Sequence, residues 1–388
     1  MAIMNGKNAA IIADGTYALT PAHTKADAKK RAKRAAQFTK DSPMLKHPLK
    51  VDVDVQQAVV ASSGAIVRET TGFGVLLELK RGFDREFILA IRGTQTGYDW
   101  LSNVTIGMTR GPTGALVHSG FQKIYNSMAA DVRHLIKDAD PRTIHFVGHS
   151  LGGALATLAS LDYAKAGTAD RYLYTFGAPR VGGSAMGQDL ERMIGQQRIK
   201  RVYNLSDPVP LIPLYPYMHA GPGTIRLPDN FGRVTLNAHS MSGFYIPNMP
   251  AQGWPGAVSP NVMGTPDYWL RQAEGAQGFM SKWGFYALGM ALDAMLPTIR
   301  LVTGLAIDAG VTLLDKLADA VYRAAQISRA IGEKVLRFIN AAMRMAGQFV
   351  AKGALTLADI TASFLRWVLD LMLAPVKAAA RGAISLLS

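Results

Sequence analysis

The segment TIHFVGHSLGGALATL, residues 143–158, constrains this chain more than any other. Its first half is β-branched and aromatic, as a buried strand requires. Its second half is rich in Ala and Leu, as a helix requires. Between them stands Gly148-His149-Ser150-Leu151-Gly152, a G-x-S-x-G string at a strand-to-helix junction. Glycines flank the serine because the chain must turn sharply there, where side chains would strike the neighbouring strand or helix. Such a turn exposes the Ser150 hydroxyl at the carboxyl end of a sheet. A helix opening at Leu151 adds its N-terminal dipole and the Leu151 N–H, a donor to a developing oxyanion.

The surrounding sequence supplies the sheet. FGVLLELK (73–80), EFILAIRG (86–93), TIHFVG (143–148), YLYTFG (172–177) and IKRVYNL (199–205) read as buried strands bounded by turn residues. Phe121 to Ala139 and Leu151 to Ala166 read as helices, the second stopped by Gly167. Strand and helix alternate, which predicts an α/β fold with a mostly parallel central sheet. Residues 246–280 alternate Pro and Gly and are expected to form a linker or covering loop without a helix. From Trp283 onward the chain turns helical, with Leu314, Leu317, Val321, Ala324, Ile327, Ile331 and Val335 at three- and four-residue spacing. Asp319 with Arg323 and Glu333 with Arg337 fit i,i+4 ion pairs. Gly304, Gly310, Gly332, Gly347, Gly353 and Pro375 are expected to punctuate these helices. The organisation so read is a basic N-terminal helical segment (1–50), an α/β domain (51–246), a Pro/Gly-rich linker (247–280) and a C-terminal amphipathic helical region (281–388), matching the expectation that 388 residues exceed one core.

A serine hydroxyl is a weak nucleophile and needs a histidine base with an acid to orient it, in the chain order Ser, Asp, His. Asp207, in VYNLSDPVPLIP, follows a strand-like run and precedes prolines, which places it in a loop at a strand's carboxyl end. Asp229, in RLPDN, competes, with a turn-forming Asx residue as its plain alternative. His145 lies within a strand and His149 within the turn, so both read as structural. His118 precedes the serine. His219 and His239 remain, and NAHSMSGFY puts His239 in a loop after the last strand-like run, which favours it.

Composition excludes other chemistries. With no cysteine the chain has no thiol redox chemistry, disulfide or thiolate metal site. No cofactor or metal motif stands out. The run Ala9–Ala13 is interrupted by Asp14 before reaching the length of an export signal, so synthesis in the cytoplasm is expected. Charges at Arg300, Asp308, Asp315 and Arg366 break every spanning segment considered. The net charge of +14 concentrates at the ends: residues 21–50 carry nine Lys/Arg against two acids, and residues 281–388 twelve against seven. An anionic bilayer and a plain solvated face both fit this pattern. Nucleic acid does not, since the basic stretches lack interleaved aromatics.

Several ordered segments resemble the class 3 lipase family, the fungal-lipase-like branch of the α/β-hydrolases, over residues 50–246. ILAIRGTQTGYDWLSNV is similar to its oxyanion turn and lid start, VHSGFQKIY to the segment after the lid, and VGHSLGGALATL to its nucleophile turn. LYTFGAPRVGG, VYNLSDPVPLIP, MHAG and AHSMSGFYI follow in the family's order. The resemblance implies Ser150 as nucleophile, Asp207 as orienting acid, His239 as base, and Thr94 with Leu151 as oxyanion donors. Tyr98 to Thr109 would be a lid with Trp100 as its apolar anchor, and His219 would fall on a structural loop. The implied activity is hydrolysis of lipid ester bonds, of phospholipase A or acylglycerol lipase type, at a membrane or micelle surface. The family's secreted fungal members carry disulfides and an export signal; this sequence has no cysteine, and no classical export signal is expected for it.

The apolar C-terminal helices resemble, in architecture alone, antibacterial lipase effectors of type VI secretion. That likeness implies non-classical export, an inhibitor (immunity) protein, a secretion-apparatus component and peripheral contact with anionic bilayer as partners. The competing expectations are a soluble carboxylesterase for small or aryl esters and a catalytically silent lipase-fold binding protein. An intact set of Ser150, Asp207, His239 and Thr94 argues against the latter.

Overall fold

One seven-stranded sheet runs through the middle of the protein, in the order β1-β2-β3-β6-β7-β8-β9. Its members are β1 (Val53–Ser63), β2 (Glu69–Leu79), β3 (Glu86–Ile91), β6 (Thr143–His149), β7 (Asp170–Phe176), β8 (Ile199–Tyr203) and β9 (Thr224–Arg226), while β4 (Met108–Arg110) and β5 (Leu116–His118) form a separate hairpin. The computed structural model describes residues 4–18, 53–63, 69–79, 83–93, 107–214, 216–218, 223–228, 231–256, 264–281, 283–304, 313–348 and 355–385. From β3 through β9 all pairings are parallel, and β1 and β2 add an antiparallel edge. The expected mostly parallel sheet is therefore present. β1 and β9 were not expected, because one is an edge strand with register shifts near Val55 and Val59, and the other is only three residues long.

Both faces of the sheet are covered, which is why its central strands are apolar throughout. On one face lie α2 (Ser119–Ala139), α3 (Leu151–Ala164) and α4 (Ser184–Met193). α3 is buried from Leu151 to Leu161, and its Gly and Ala side let it lie close to the sheet. On the opposite face sits α1 (Gly6–Gly15), whose Ala9, Ala10, Ile11, Ile12 and Ala13 pack with Val147, Tyr174 and Phe176 of the sheet and with Met241, Phe244 and Tyr245. The apolar run near the N-terminus is thus a core helix. The basic residues of 21–50 lie outside the described residues.

α1 carries a testable liability. Burial raises Asp14 from the usual carboxylate value to about 6. A raised acid pKa favours the protonated, folded form, so this contribution is full below about pH 4 and is lost as pH rises through about 6. Asp14→Asn is expected to stabilise the protein at pH 8 by up to about 3 kcal/mol and to change little near pH 4. Urea unfolding at both values checks this. An equal difference at the two pH values would reject it.

The C-terminal part is helical, as expected: α6 (Gly284–Thr303), α7 (Leu313–Ile327), α8 (Arg329–Met345) and α9 (Ala362–Ser385). The expected helix-free linker, however, contains α5 (Pro266–Gly275). Pro266 occupies the first turn, where its missing N–H costs nothing, and the Thr265 hydroxyl accepts from the Tyr268 N–H at 3.3 Å. Arg344 closes the other end by donating to the carbonyls of Ala273 and Glu274 at 2.9 and 2.7 Å.

Other details of the helical region also depart from expectation. The apolar stripe read across Leu314–Val335 is cut at Ser328, which caps α8, so Ile327 is 63% exposed while Leu317, Ala324 and Val335 are buried. Asp319 and Arg323 do pair at 2.9 Å. Glu333 instead meets Arg329 at 3.1 Å, and Arg337 reaches Glu274 and Asp267 of α5, both at 2.7 Å. Gly304 and Gly347 end helices at positive φ. Gly332 and Pro375 lie inside α8 and α9, while Gly310 and Gly353 fall outside the described residues.

These helices share one continuous core with α2, α3 and the sheet. α6 is the one helix among the described residues that is long and apolar enough to cross a membrane, with mean hydropathy 1.3 and 56% of that window buried. Its Asp293 pairs with the buried Arg180 at 3.3 Å, and a bilayer would break that pair.

Candidate active site

β6, β7 and β8 run parallel and end side by side, so the turns after them meet at one edge of the sheet. Ser150 stands directly after β6 with φ 56° and ψ −132°, a conformation costing on the order of 1–3 kcal/mol that persists only where surroundings impose it. A Cβ on Gly148 would strike the Gly152 backbone, and one on Gly152 the carbonyl of Ile91 in β3. Both glycines are therefore required by close approach, as the motif suggests. Leu151 opens α3, so its N–H is a first-turn amide without an intrahelical acceptor.

Asp207 and His239 come together at the same edge. The His239 Nδ1–H donates to both Asp207 oxygens at 3.0 and 2.9 Å, in full burial. Asp207 also accepts from the Tyr245 hydroxyl at 2.6 Å and from the Val209 N–H at 2.9 Å. Burial and the neighbouring carboxylate push the Tyr245 phenol well above its ordinary pKa, so it remains a donor. With Nδ1 carrying the proton, Nε2 of the neutral ring is left as a base. Gly177, at φ +53° after β7, makes room for this pair: a Cβ there would lie 2.8 Å from Asp207 Oδ2 and 3.1 Å from His239 Nδ1.

Among the described residues, neither Ser150 Oγ nor His239 Nε2 has a hydrogen-bond partner, although both are buried. Buried polar atoms are almost always satisfied. Two of the eleven exceptions among the described residues are the atoms that a serine-to-imidazole proton transfer would use. Such contacts are often long without substrate and tighten with it.

His149, His145 and His118 have structural partners. His149 takes a hydrogen bond from the Tyr17 hydroxyl at Nδ1 (2.7 Å) and donates from Nε2 to the His239 carbonyl (2.9 Å). Burial, then the neighbouring His239, holds its pKa well below the usual histidine value, so the ring is neutral. His145 bonds Glu86 at 2.6 Å, and His118 caps α2 by accepting from the Gly120 N–H at 3.2 Å.

Thr94, Trp100, His219 and Asp229 lie outside the described residues, as does the expected lid apart from Gly107, Met108 and Thr109. Sequence reasoning missed Tyr245, Gly177 and Tyr17. Gly177 had a signal in its position at the end of a strand, but Tyr17 had none, lying 132 residues from its partner. No group of three His, Asp or Glu side chains that could hold a metal occurs among the described residues.

Residues 88–216 match the family model described as "Lipase (class 3)". The chain is 33% identical over 180 residues to a secreted mono- and diacylglycerol lipase 1 of Fusarium solani, covering 44% of this chain and 52% of that protein. It is 30% identical over 162 residues to a chloroplastic phospholipase A(1), DAD1, of Arabidopsis thaliana, covering 35% of each. It thus spans about half or less of the length of these curated relatives. Among solved structures, the lipase from Rhizopus microsporus var. chinensis is similar with a TM-score of 0.39 and 21% identity, covering 57% of this chain and 74% of that one.

Proposed function

Since residues 88–216 belong to the class 3 lipase family, we propose that this chain hydrolyses carboxylic ester bonds of lipids through an acyl-enzyme on Ser150. In this reading His239 Nε2 takes the Ser150 proton as the hydroxyl attacks the ester carbonyl. The Leu151 N–H, with Thr94, receives the charge on the carbonyl oxygen. The imidazolium then protonates the leaving alcohol, and water repeats the sequence to release the fatty acid. Asp207 fixes the tautomer and stabilises the imidazolium.

The observation that carries the proposal is the buried Asp207–His239 pair beside a strained serine at the sheet's carboxyl edge. The family match ends before His239, so the base rests on this geometry.

We take the working surface to be a lipid interface, with Trp100 as the apolar anchor of a lid at Tyr98 to Thr109, the role that the family resemblance implies. The excess of Lys and Arg in residues 281–388 and the exposed Leu301 and Trp367, the latter stacked on Phe364, support contact with anionic bilayer. Mass spectrometry of a mixed phospholipid and acylglycerol dispersion after incubation is expected to show free fatty acid with the matching lysophospholipid or partial glyceride. Turnover of soluble aryl esters with no product from dispersed lipid would replace this reading with a soluble carboxylesterase. Contact-dependent delivery with a protective inhibitor protein extends the proposal on architecture alone. Its test is whether export of the active chain, and not of Ser150→Ala, to the periplasm of a bacterial host stops growth.

A further inference from the structure

The loops bearing the acid and the base do not stand alone. The chain entering the His239 turn is tied on two sides: the Val234 N–H donates to the Met280 carbonyl at 2.7 Å, just ahead of α6, and the Thr235 N–H to the Ser206 carbonyl at 2.9 Å, beside Asp207. An isolated antiparallel bridge joins Arg233 to Ser281. The turn itself, Leu236–His239, is packed on by α9. The contact is close: a Cβ on Gly382 would lie 3.1 Å from both terminal carbons of Leu236. On the acid side, α6 and α9 pack on the turn Val209–Leu211, whose first N–H holds Asp207 Oδ1. The Arg180–Asp293 pair fixes α6 to the loop after β7.

Resting on the triad reading above, we propose that the C-terminal helices position the acid–base pair, with Leu236 and Gly382 as positioning residues for His239. They touch neither substrate nor reacting atoms. The physical basis is rigidity. A four-residue turn has little internal restraint, and an imidazole displaced by about 1 Å loses about 100-fold in rate. Packing α9 on Leu236 removes that freedom, and glycine at 382 is what permits the approach. A helix serving stability alone would be insensitive, in catalysis, to side-chain size at this point once the protein is folded.

The test uses the full chain and two readouts. One is kcat and KM on a soluble 4-nitrophenyl ester. The other is the downfield NMR signal of the His239 Nδ1 proton shared with Asp207, which needs no turnover. Gly382→Leu is expected to lower kcat about 10–100-fold with KM unchanged, and to move or broaden the proton signal. Leu236→Ala makes room, so the double variant is expected to recover most of the lost kcat and the original signal. Wild-type kcat with an unmoved signal in Gly382→Leu, or a loss that the second substitution leaves in place, overturns the proposal. If Gly382→Leu does not fold, Leu236→Ala alone, which only shortens a half-buried side chain, is read in the same two ways; unchanged kcat and signal there overturn it as well. If the wild type hydrolyses no ester, the triad reading falls, and the proton signal still decides whether the helices hold His239.

Discussion

Ser150→Ala is expected to abolish ester hydrolysis, lowering turnover about 10⁶-fold while leaving the thermal midpoint within a few degrees of the wild type. The size follows from what the hydroxyl does: without it no acyl-enzyme forms, and only binding and the oxyanion donors remain to assist water. The small effect on folding follows from the site. Ser150 Oγ makes no hydrogen bond among the described residues, so its removal leaves no partner stranded. The strained backbone at φ 56° stays, because the Ser150 N–H bonds the Phe176 carbonyl at 3.0 Å and α3 begins immediately after it. Release of 4-nitrophenol from a soluble ester, measured on monomeric folded protein, checks the prediction. Residual turnover of a tenth of the wild type would move the nucleophile elsewhere.

Asp207→Asn is expected to cost about 10⁴-fold in kcat, less than the serine change but far more than a lost structural hydrogen bond. The amide can keep the Val209 N–H at its oxygen, which preserves the turn. Its NH₂ group then faces the imidazole and the Tyr245 hydroxyl, where the carboxylate had accepted from both at 2.9 and 2.6 Å. The NH₂ sits at the shorter of the two Nδ1 contacts, 2.9 Å against 3.0 Å for the oxygen, and favours the tautomer in which Nδ1 gives up its proton to accept from it. Nε2 then carries the proton and cannot serve as base. Activity within tenfold of the wild type at matched folded fraction would show that Asp207 does not set the tautomer. If Asp207 only braced the fold, Asp207→Asn would instead lower the melting temperature and leave kcat per folded molecule unchanged.

The parts of the site legible in the sequence are those in which one short segment contains its own physical reason. Gly148 and Gly152 flank Ser150 because backbone atoms of the same turn and of β3 come too close for a Cβ. Asp207 could be placed after a strand because Pro208 and Pro210 forbid the strand from continuing. His239 needed a further argument from chain order, and the structure then placed it against Asp207. Tyr245 escaped notice because a tyrosine on a helical turn gives no local sign of facing a carboxylate 38 positions away.

The α/β architecture with its mostly parallel sheet was legible for the same reason, since its central strands are buried on both faces and must be apolar along their whole length. α5 was hidden because Pro and Gly signal a break without saying whether Pro266 ends a loop or begins a helix; the Thr265 cap and the Arg344 closure decide that. The sequence alone determined the turn chemistry at Ser150, the alternation of strand and helix, and the helical nature of residues 284–303, 313–345 and 362–385. Only the tertiary structure decided where those last helices go. Apolar spacing says that a face must be buried and is silent on its partner. For α6 and α9 the partners include the Val209–Leu211 turn, and for α9 also the Leu236–His239 turn, matched in shape at contacts such as Gly382 on Leu236, between residues 146 positions apart in the chain, while α7 and α8 pack on neighbouring helices.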